Sequence, residues 1–286
     1  MKKVAIITNN TRDKNYIQSK KLIELLHSED FEILMPEDAK DECYFDFVSY
    51  KRFSQLFADC DVAVTLGGDG TILNIAHYCA KNSVPILGIN FGNLGYMTEL
   101  ENGEINCVPD ILKSNYNVEK RMMLKVDILK NGEICQSYGA LNDAVVSNGT
   151  ITKMLRLDLY CHDSLINTFE SDGIIISTPT GSTAYSFSAG GPIIEPSFES
   201  FCVTPICSHS VYSRSIVLSP QSCINIKVTN LNDRQAYLTV DGDINIEIKK
   251  DMTVRCSKSG LYTQLIRIDK KNFYDILKNK LGKRGI

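Results

Sequence analysis

The chain has no surplus of positive charge. Its 286 residues carry 31 Lys and Arg against 34 Asp and Glu, a formal net charge of −3. A general nucleic-acid binder shows a basic domain or stripe, so that class is excluded, and any anionic ligand must find its positive partners locally. Long apolar runs are also missing. None approaches the ~18 residues of a membrane span, and the four apolar residues between Lys3 and Thr8 are too few for a signal-peptide core. The ten cysteines stand singly at 43, 60, 79, 107, 135, 161, 202, 207, 223 and 256, with no CxxC pair and no Cys/His cluster. A structural zinc site is therefore not expected. The histidines at 27, 77, 162 and 209 share no ligand spacing and read as structural, His209 being the one nearest the chemistry. Internal repeats and low-complexity segments are absent. The expectation is a cytoplasmic protein with reduced, mostly buried thiols and neither membrane nor nucleic acid as partner.

What is present is an ordinary globular composition, 43% hydrophobic and 23% charged, long enough for two modest domains. Val4 to Thr8, Phe31 to Met35, Val62 to Leu66 and Val84 to Asn90 read as strands. Lys14 to His27, Lys51 to Ala58, Thr71 to Ala80 and Cys107 to Ser114 read as helices between and after them. Strands alternating with helices predict a doubly wound, mostly parallel α/β sheet, which binds ligands at the carboxyl ends of its strands. From Tyr116 the pattern becomes alternating. Met123 to Lys130, Glu133 to Ser147, Met154 to Cys161, Leu165 to Phe169, Ser215 to Leu218, Cys223 to Thr229, Ala236 to Val240, Ile244 to Ile248 and Thr253 to Cys256 read as antiparallel strands. Asn131-Gly132 and His162-Asp163 supply hairpin turns. The expected layout is an α/β domain over 1–115, a β-rich, sandwich-like domain over 116–268, and a C-terminal helix over 269–286 that returns to the first domain.

Two stretches carry the chemistry. The first is Asp61-Val-Ala-Val-Thr-Leu-Gly-Gly-Asp-Gly-Thr71, an apolar strand running into three glycines, one aspartate and a helix. Glycines let a phosphate approach main-chain N–H groups with no Cβ in the way, and Asp69 is the only acid of that turn. A tight turn with a capping aspartate is the plain structural alternative. The second is Phe169 to Pro192, where a buried strand at Ile174 to Ile176 delivers a loop of hydroxyls and glycines from Ser177 to Gly191. Such a loop can hydrogen-bond ribose or phosphate oxygens, and Tyr185 offers a flat face to a base.

Gly67-Gly-Asp-Gly-Thr71 alone resembles a signature shared by NAD kinases, diacylglycerol-type lipid kinases and phosphofructokinases. Four further motifs follow it in order: Leu141-Asn-Asp-Ala-Val145, Ser171-Asp-Gly173, Ser177 to Tyr185 and Ala189-Gly-Gly-Pro192. Thr204 to Ser210, Arg214 and Val240-Asp-Gly242 extend the likeness, so the chain resembles the NAD kinase family over nearly its whole length. The resemblance implies a kinase that moves the γ-phosphoryl group of ATP, or sometimes of polyphosphate, to the 2′-hydroxyl of the adenosine ribose of NAD. It implies Asp69 as general base with Gly70 beside it, and Asn142 and Asp143 on the adenine or ribose. Asp172 falls to the nicotinamide end in a neighbouring subunit's site, and Thr183, Ala184, Tyr185, Ser186, Phe187 and Ser188 line the dinucleotide pocket. Lys153 stands where a basic residue meets the diphosphate. It further implies Mg²⁺ arriving with ATP rather than in a protein cage, and a homodimer or homotetramer.

The chain departs from the pattern in three places. Asp143 stands where glutamate is frequent, so it must reach further or use a water. Glu170 replaces a basic residue, and Asp243 replaces glutamine in Asp-Gly-Gln, so Asp243 serves the ribose or points away from the diphosphate. A lipid or sugar kinase of the same superfamily accounts for Gly67 to Thr71 but not for Thr178 to Pro192. A non-catalytic NADP sensor would have no need of Asp69.

Overall fold

The computed structural model describes residues 1–92, 95–149, 154–209, 213–231, 234–268 and 272–282. The chain divides into two compact units, Met1–Lys120 with Thr263–Ile286, and Arg121–Tyr262.

In the first unit the order is β1 (Lys3–Thr8), α1 (Ile17–Ser28), β2 (Glu32–Pro36), β3 (Ser49–Lys51), α2 (Phe53–Leu56), β4 (Val62–Gly67), α3 (Asp69–Asn82), β5 (Ile86–Asn90), β6 (Leu100–Glu101) and α4 (Val108–Lys113). The strands lie side by side as β5-β4-β1-β2-β3, with β6 on β5, and every pair is parallel. All six residues of β4 are buried. That is why Val62 to Gly67 reads as an unbroken apolar run: a parallel strand covered on both faces has no polar side to alternate with. The chain leaves β1 toward β2 in one direction and returns to β4 on the other side. The carboxyl ends of β1 and β4 thus form the switch point where open α/β sheets hold ligands. Helix α3 buries Ile72, Ile75, Ala76, Cys79 and Ala80, a spacing that keeps one face on the sheet. It begins at Asp69, two residues ahead of the predicted start, because Gly68 takes the cap position.

The second unit is antiparallel. It holds β7 (Asn117–Lys130), β8 (Glu133–Ala140), β9 (Asp143–Asn148), β10 (Leu155–Cys161), β11 (Ser164–Ser171), β12 (Gly173–Ser177), α5 (Tyr185–Ser188), β13 (Phe201–Ile206), β14 (Ile216–Leu218), β15 (Ile224–Val228), β16 (Ala236–Val240), β17 (Ile244–Ile248) and β18 (Met252–Arg267); the first residues of β7 and the last of β18 belong to the first unit. One sheet runs β14-β13-β12-β9-β16-β17, while β11, β10, β15 and β18 pair in that order in another. Inward residues of both, among them Val146, Leu157, Ile174, Ile226 and Leu238, form one core. Asn131 and Gly132, with φ of 52° and 89°, make the predicted hairpin turn between β7 and β8. A last helix, α6 (Phe273–Gly282), falls in the first unit, where Phe273 lies 6.0 Å from Tyr96 and the Lys280 ammonium stands 4.0 Å from the centre of the same ring.

Several expectations need correction. The stretch from Glu133 to Ser147 is two strands, broken at Leu141-Asn142, where the chain leaves β7's partner and joins the other sheet. Strand β18 is far longer than Thr253 to Cys256. Strand β13 was not expected at all, because Pro205 breaks the strand pattern. Its missing N–H is tolerated because β14 pairs only with Phe201 to Val203, leaving the ladder one-sided at Pro205. All ten thiols are free, but Cys107, Cys135 and Cys207 are exposed, Cys135 on the open face of β8.

Candidate active site

The glycine turn of the first unit is built from three loops, each following a strand. After β1, residues 9–13 fold into a pinned turn. The Asn9 side chain accepts from the Thr11 amide and hydroxyl at 3.1 and 2.7 Å. Buried Asp13 accepts from the amides of Gln18 and Ser19, at 3.0 and 2.8 Å, and from the Ser19 hydroxyl at 2.7 Å. This fixes Arg12, whose guanidinium donates to the Phe91 carbonyl at 3.2 Å in the loop after β5. A Cβ on Gly68 would lie 3.6 Å from that guanidinium, and one on Gly92 only 2.0 Å, so Gly92 must be glycine for Arg12 to rest there.

Asp69 opens α3 and is half-buried. Its carboxylate accepts the amide hydrogens of Tyr96 at 2.8 Å and Met97 at 3.0 Å. The carbonyls of those two residues accept from the Arg267 guanidinium, at 3.3 and 3.2 Å, and Arg267 is itself paired with Glu99 at 3.1 Å and Glu119 at 2.6 Å. Asp69 is thus held from behind by a peptide that a partly buried ion network fixes. One lone pair remains on each carboxylate oxygen. Gly70 is exposed beside it, and the buried Thr71 hydroxyl has no hydrogen-bond partner among the described residues.

The second unit holds a cavity of roughly 320 Å³ lined by Asn142, Asp143, Val145, Ser147, Ala184, Tyr185, Thr239, Asp241 and Gly242. Strand alternation explains the lining. Asp143, Val145 and Ser147 share one face of β9, while Ala144 and Val146 turn into the core. Among the described residues the Asp143 carboxylate accepts no hydrogen bond, although it is only 6% exposed. Burial, and then the charge of Asp241, push its pKa up to about 7. Asp241 is pushed up to about 6 by burial, opposed by the amides of Leu141, Asn142 and Asp143 that donate to it.

The family model of the ATP-NAD kinase N-terminal domain matches residues 4–117, and that of the C-terminal domain matches residues 141–268. The chain belongs to the NAD kinase family. Like other NAD kinases it is a phosphotransferase with an alcohol acceptor. It is 39% identical over 285 residues to an NAD kinase of Thermoanaerobacter sp., covering 99% of this chain and 100% of that one. The NAD kinase of Caldanaerobacter subterraneus matches equally, at 39% over 285 residues with the same coverage. Among solved structures, the fold is shared with yeast NADH kinase complexed with NADH, at a TM-score of 0.87 and 24% identity over 100% of this chain and 89% of that one. It is shared too with an NAD kinase from Archaeoglobus fulgidus in complex with ATP, at a TM-score of 0.76 and 24% identity over 99% of each chain.

Of the residues that the NAD kinase pattern singles out, the cavity brings together Asn142, Asp143, Ala184 and Tyr185. Thr183 is half-buried and its hydroxyl donates to the Thr180 carbonyl at 3.1 Å. The Ser186 hydroxyl is buried and shared with Thr204 at 2.9 Å, Phe187 is half-buried and Ser188 exposed. Asp172 does not line the cavity; its carboxylate accepts from the side-chain NH₂ of Asn148 at 3.2 Å. Lys153 lies outside the described residues. Glu170 is exposed and stands 3.8 Å from Arg156, a surface pair that contributes little. Two residues escaped the sequence reading. Arg12 looks like any solvated arginine, and its signal is only that it follows β1, as Gly67 to Gly70 follow β4. Asp241 stood in a matched motif with no role attached.

Proposed function

We propose that the protein transfers the γ-phosphoryl group of ATP to the 2′-hydroxyl of the adenosine ribose of NAD, giving NADP and ADP, with Asp69 as general base. The observation that carries this is the state of Asp69: a fixed carboxylate at the head of α3, its position set by two amides and its remaining lone pairs free for a hydroxyl proton. Fixed placement supplies much of the effect of a general base. As the ribose oxygen forms its bond to the γ-phosphorus, the proton passes to Asp69 and the bond to the ADP oxygen breaks. The donor's phosphates fall to the glycine turn, with Arg12 as the local cation that a chain of net negative charge requires. Magnesium enters with the donor and, when bound, neutralises charge on the transferring group. Phosphate oxygens and water would satisfy that ion, with the glycine turn leaving room for the phosphates that carry it.

The cavity of the second unit is at the small end of ligand pockets, which run from ~300 to ~1,000 Å³, so it suits a nucleoside rather than a whole dinucleotide. Asn142 and Asp143 meet the adenine or ribose there, and Tyr185 covers the base. Its lining holds no Lys or Arg, which suits hydroxyl and amine donors and not a diphosphate. Asp172, outside the lining, is assigned to the nicotinamide end of a dinucleotide bound by a second copy of the chain. The test is turnover of purified protein with ATP, Mg²⁺ and NAD, beside NADH, diacylglycerol and fructose 6-phosphate. NADP formation is expected; lipid or sugar phosphorylation without NADP would overturn the reading.

A further inference from the structure

Asp241 follows β16 in a left-handed conformation, φ 49°, with Gly242 behind it at φ 78°. Its carboxylate accepts the amide hydrogens of three consecutive residues across about a hundred positions of sequence: Leu141 at 2.7 Å, Asn142 at 2.7 Å and Asp143 at 3.1 Å. Its own amide donates to the Asp143 carbonyl at 3.0 Å. Those three residues are where the chain passes from β8 to β9 and changes sheet, so these amides find a carboxylate where β8 and β9 would find a strand. The carbonyls of the same crossover are held from the other side, Leu141 by the Thr178 hydroxyl at 2.6 Å and Asn142 by the Thr178 amide at 2.9 Å. Nothing among the described residues ties down the ends of the Asn142 and Asp143 side chains. Their direction comes from the backbone alone.

We propose that Asp241 is the positioning residue of this cavity: one carboxylate clamps the crossover at 141–143 and thereby aims Asn142 and Asp143 at the nucleoside. It acts through those two residues, and the proposal rests on the reading that the cavity takes the adenosine end of NAD. The clamp also sets the electrostatics. Asp143, Asp241 and Tyr185 are the titratable residues of the lining, with no Lys, Arg or His among them, and Asp243 beyond the turn is exposed. Two carboxylates this close resist ionising together. Asp241 is the better anion, since three amides solvate it. Asp143 is left to hold a proton until a donor on the ligand makes its charged form favourable.

Asp241→Asn tests this, because an amide keeps the shape but offers one acceptor and turns an NH₂ group toward backbone donors. In the wild type the amides of 141–143 should resist hydrogen exchange; in Asp241→Asn they should exchange on the order of a hundredfold faster. KM for NAD should rise about tenfold or more, with kcat and KM for ATP within about twofold. The break in kcat/KM for NAD, expected near neutrality in the wild type, should move down by about one pH unit when the facing charge is gone. The companion variant Asp143→Asn should keep the amides protected and abolish the break, which separates the clamp from the charge. If Asp241→Asn lowered kcat and thermal stability together while the pH break stayed in place, the role would be merely structural. Intact protection in Asp241→Asn would sink the clamp whatever the wild type turns over. Lost protection beside a wild type that neither binds nor phosphorylates NAD would instead sink the substrate reading, and with it the aim assigned to the clamp.

Discussion

At the glycine turn Asp69 takes two amide hydrogens from Tyr96 and Met97, while at the cavity Asp241 takes three from Leu141 to Asp143 and its neighbour Asp143 takes none among the described residues. In both regions a carboxylate is fixed by backbone donors from a distant part of the chain. The consequences differ. Asp69 is half-buried, and its anion is held in place with lone pairs to spare, as a group that must accept a proton during a reaction requires. The cavity separates the two tasks. Asp241 is used up as a structural anion, and Asp143, buried beside it, is left for the ligand. Backbone donors can therefore either present a carboxylate or consume it, and their number and the burial around them decide which.

The largest effect that could break this comparison is at Asp69. Asp69→Asn keeps the shape and the helix start but cannot take the proton, so kcat should fall by about 10²–10⁴, the range for a positioned general base. NAD affinity, measured by calorimetry, should stay within about twofold. Turnover at the wild-type rate would show that the two amides hold Asp69 for structure alone. Next in size is Arg12→Ala. Removing the cation that rests on the glycine turn should raise KM for ATP by about tenfold, the order of one charge-assisted contact, with KM for NAD unchanged. A change in KM for NAD instead would move Arg12 away from the donor.

A smaller effect tests the buried member of the other pair. The pKa of Asp143 is pushed up to about 7 by burial and by Asp241, above the ordinary ~3.9 of an aspartate. Between these two values the folded protein keeps a proton that the unfolded chain has released, so stability falls as pH rises through that window and the penalty is complete above about 7. Asp143→Asn removes it. The variant should be more stable than the wild type by a few kcal/mol at pH 8, ~1.4 for each unit by which the pKa is raised, and nearly equal to it at pH 4, as urea denaturation at the two pH values would show. The same stability difference at both would mean that Asp143 is solvated in the cavity.

The parts of this arrangement that could be read in the sequence are those made by local pattern. Strand β4 is visible because a strand buried on both faces must be apolar throughout, and the glycine turn is visible because only glycine allows backbone so close to a ligand. The break between β8 and β9 was not legible. Ala140, Leu141 and Ala144 continue the apolar pattern, and the carboxylate that replaces their strand partners lies about a hundred residues away. Pro205 hid β13 for a related reason: a proline is tolerated where the adjacent strand has already ended, which no window of sequence reveals. The start of α3 is hidden because Gly68, which looks like part of the glycine turn, serves as the helix cap. Arg12 was missed because its partner is a carbonyl in another loop.

The smallest effect sharpens the comparison by marking where it stops. Asp243 follows Asp241 by two residues and stands where the family often carries glutamine, so a reading by motif alone gives it a part in binding. Its side chain is exposed, it does not line the cavity, and its amide closes the turn by donating to the Val240 carbonyl at 3.1 Å. An exposed carboxylate to which no backbone amide among the described residues donates does not position a chain. Asp243→Asn should therefore leave KM for NAD within about twofold and stability within about 0.5 kcal/mol, the usual range for a surface exchange. Measured beside Asp241→Asn, it separates the loss of a buried anion from the loss of any negative charge at this turn. If the two variants weakened NAD binding alike, the determinant would be the turn's overall charge, and the hydrogen bonds from 141–143 would have no special part in it.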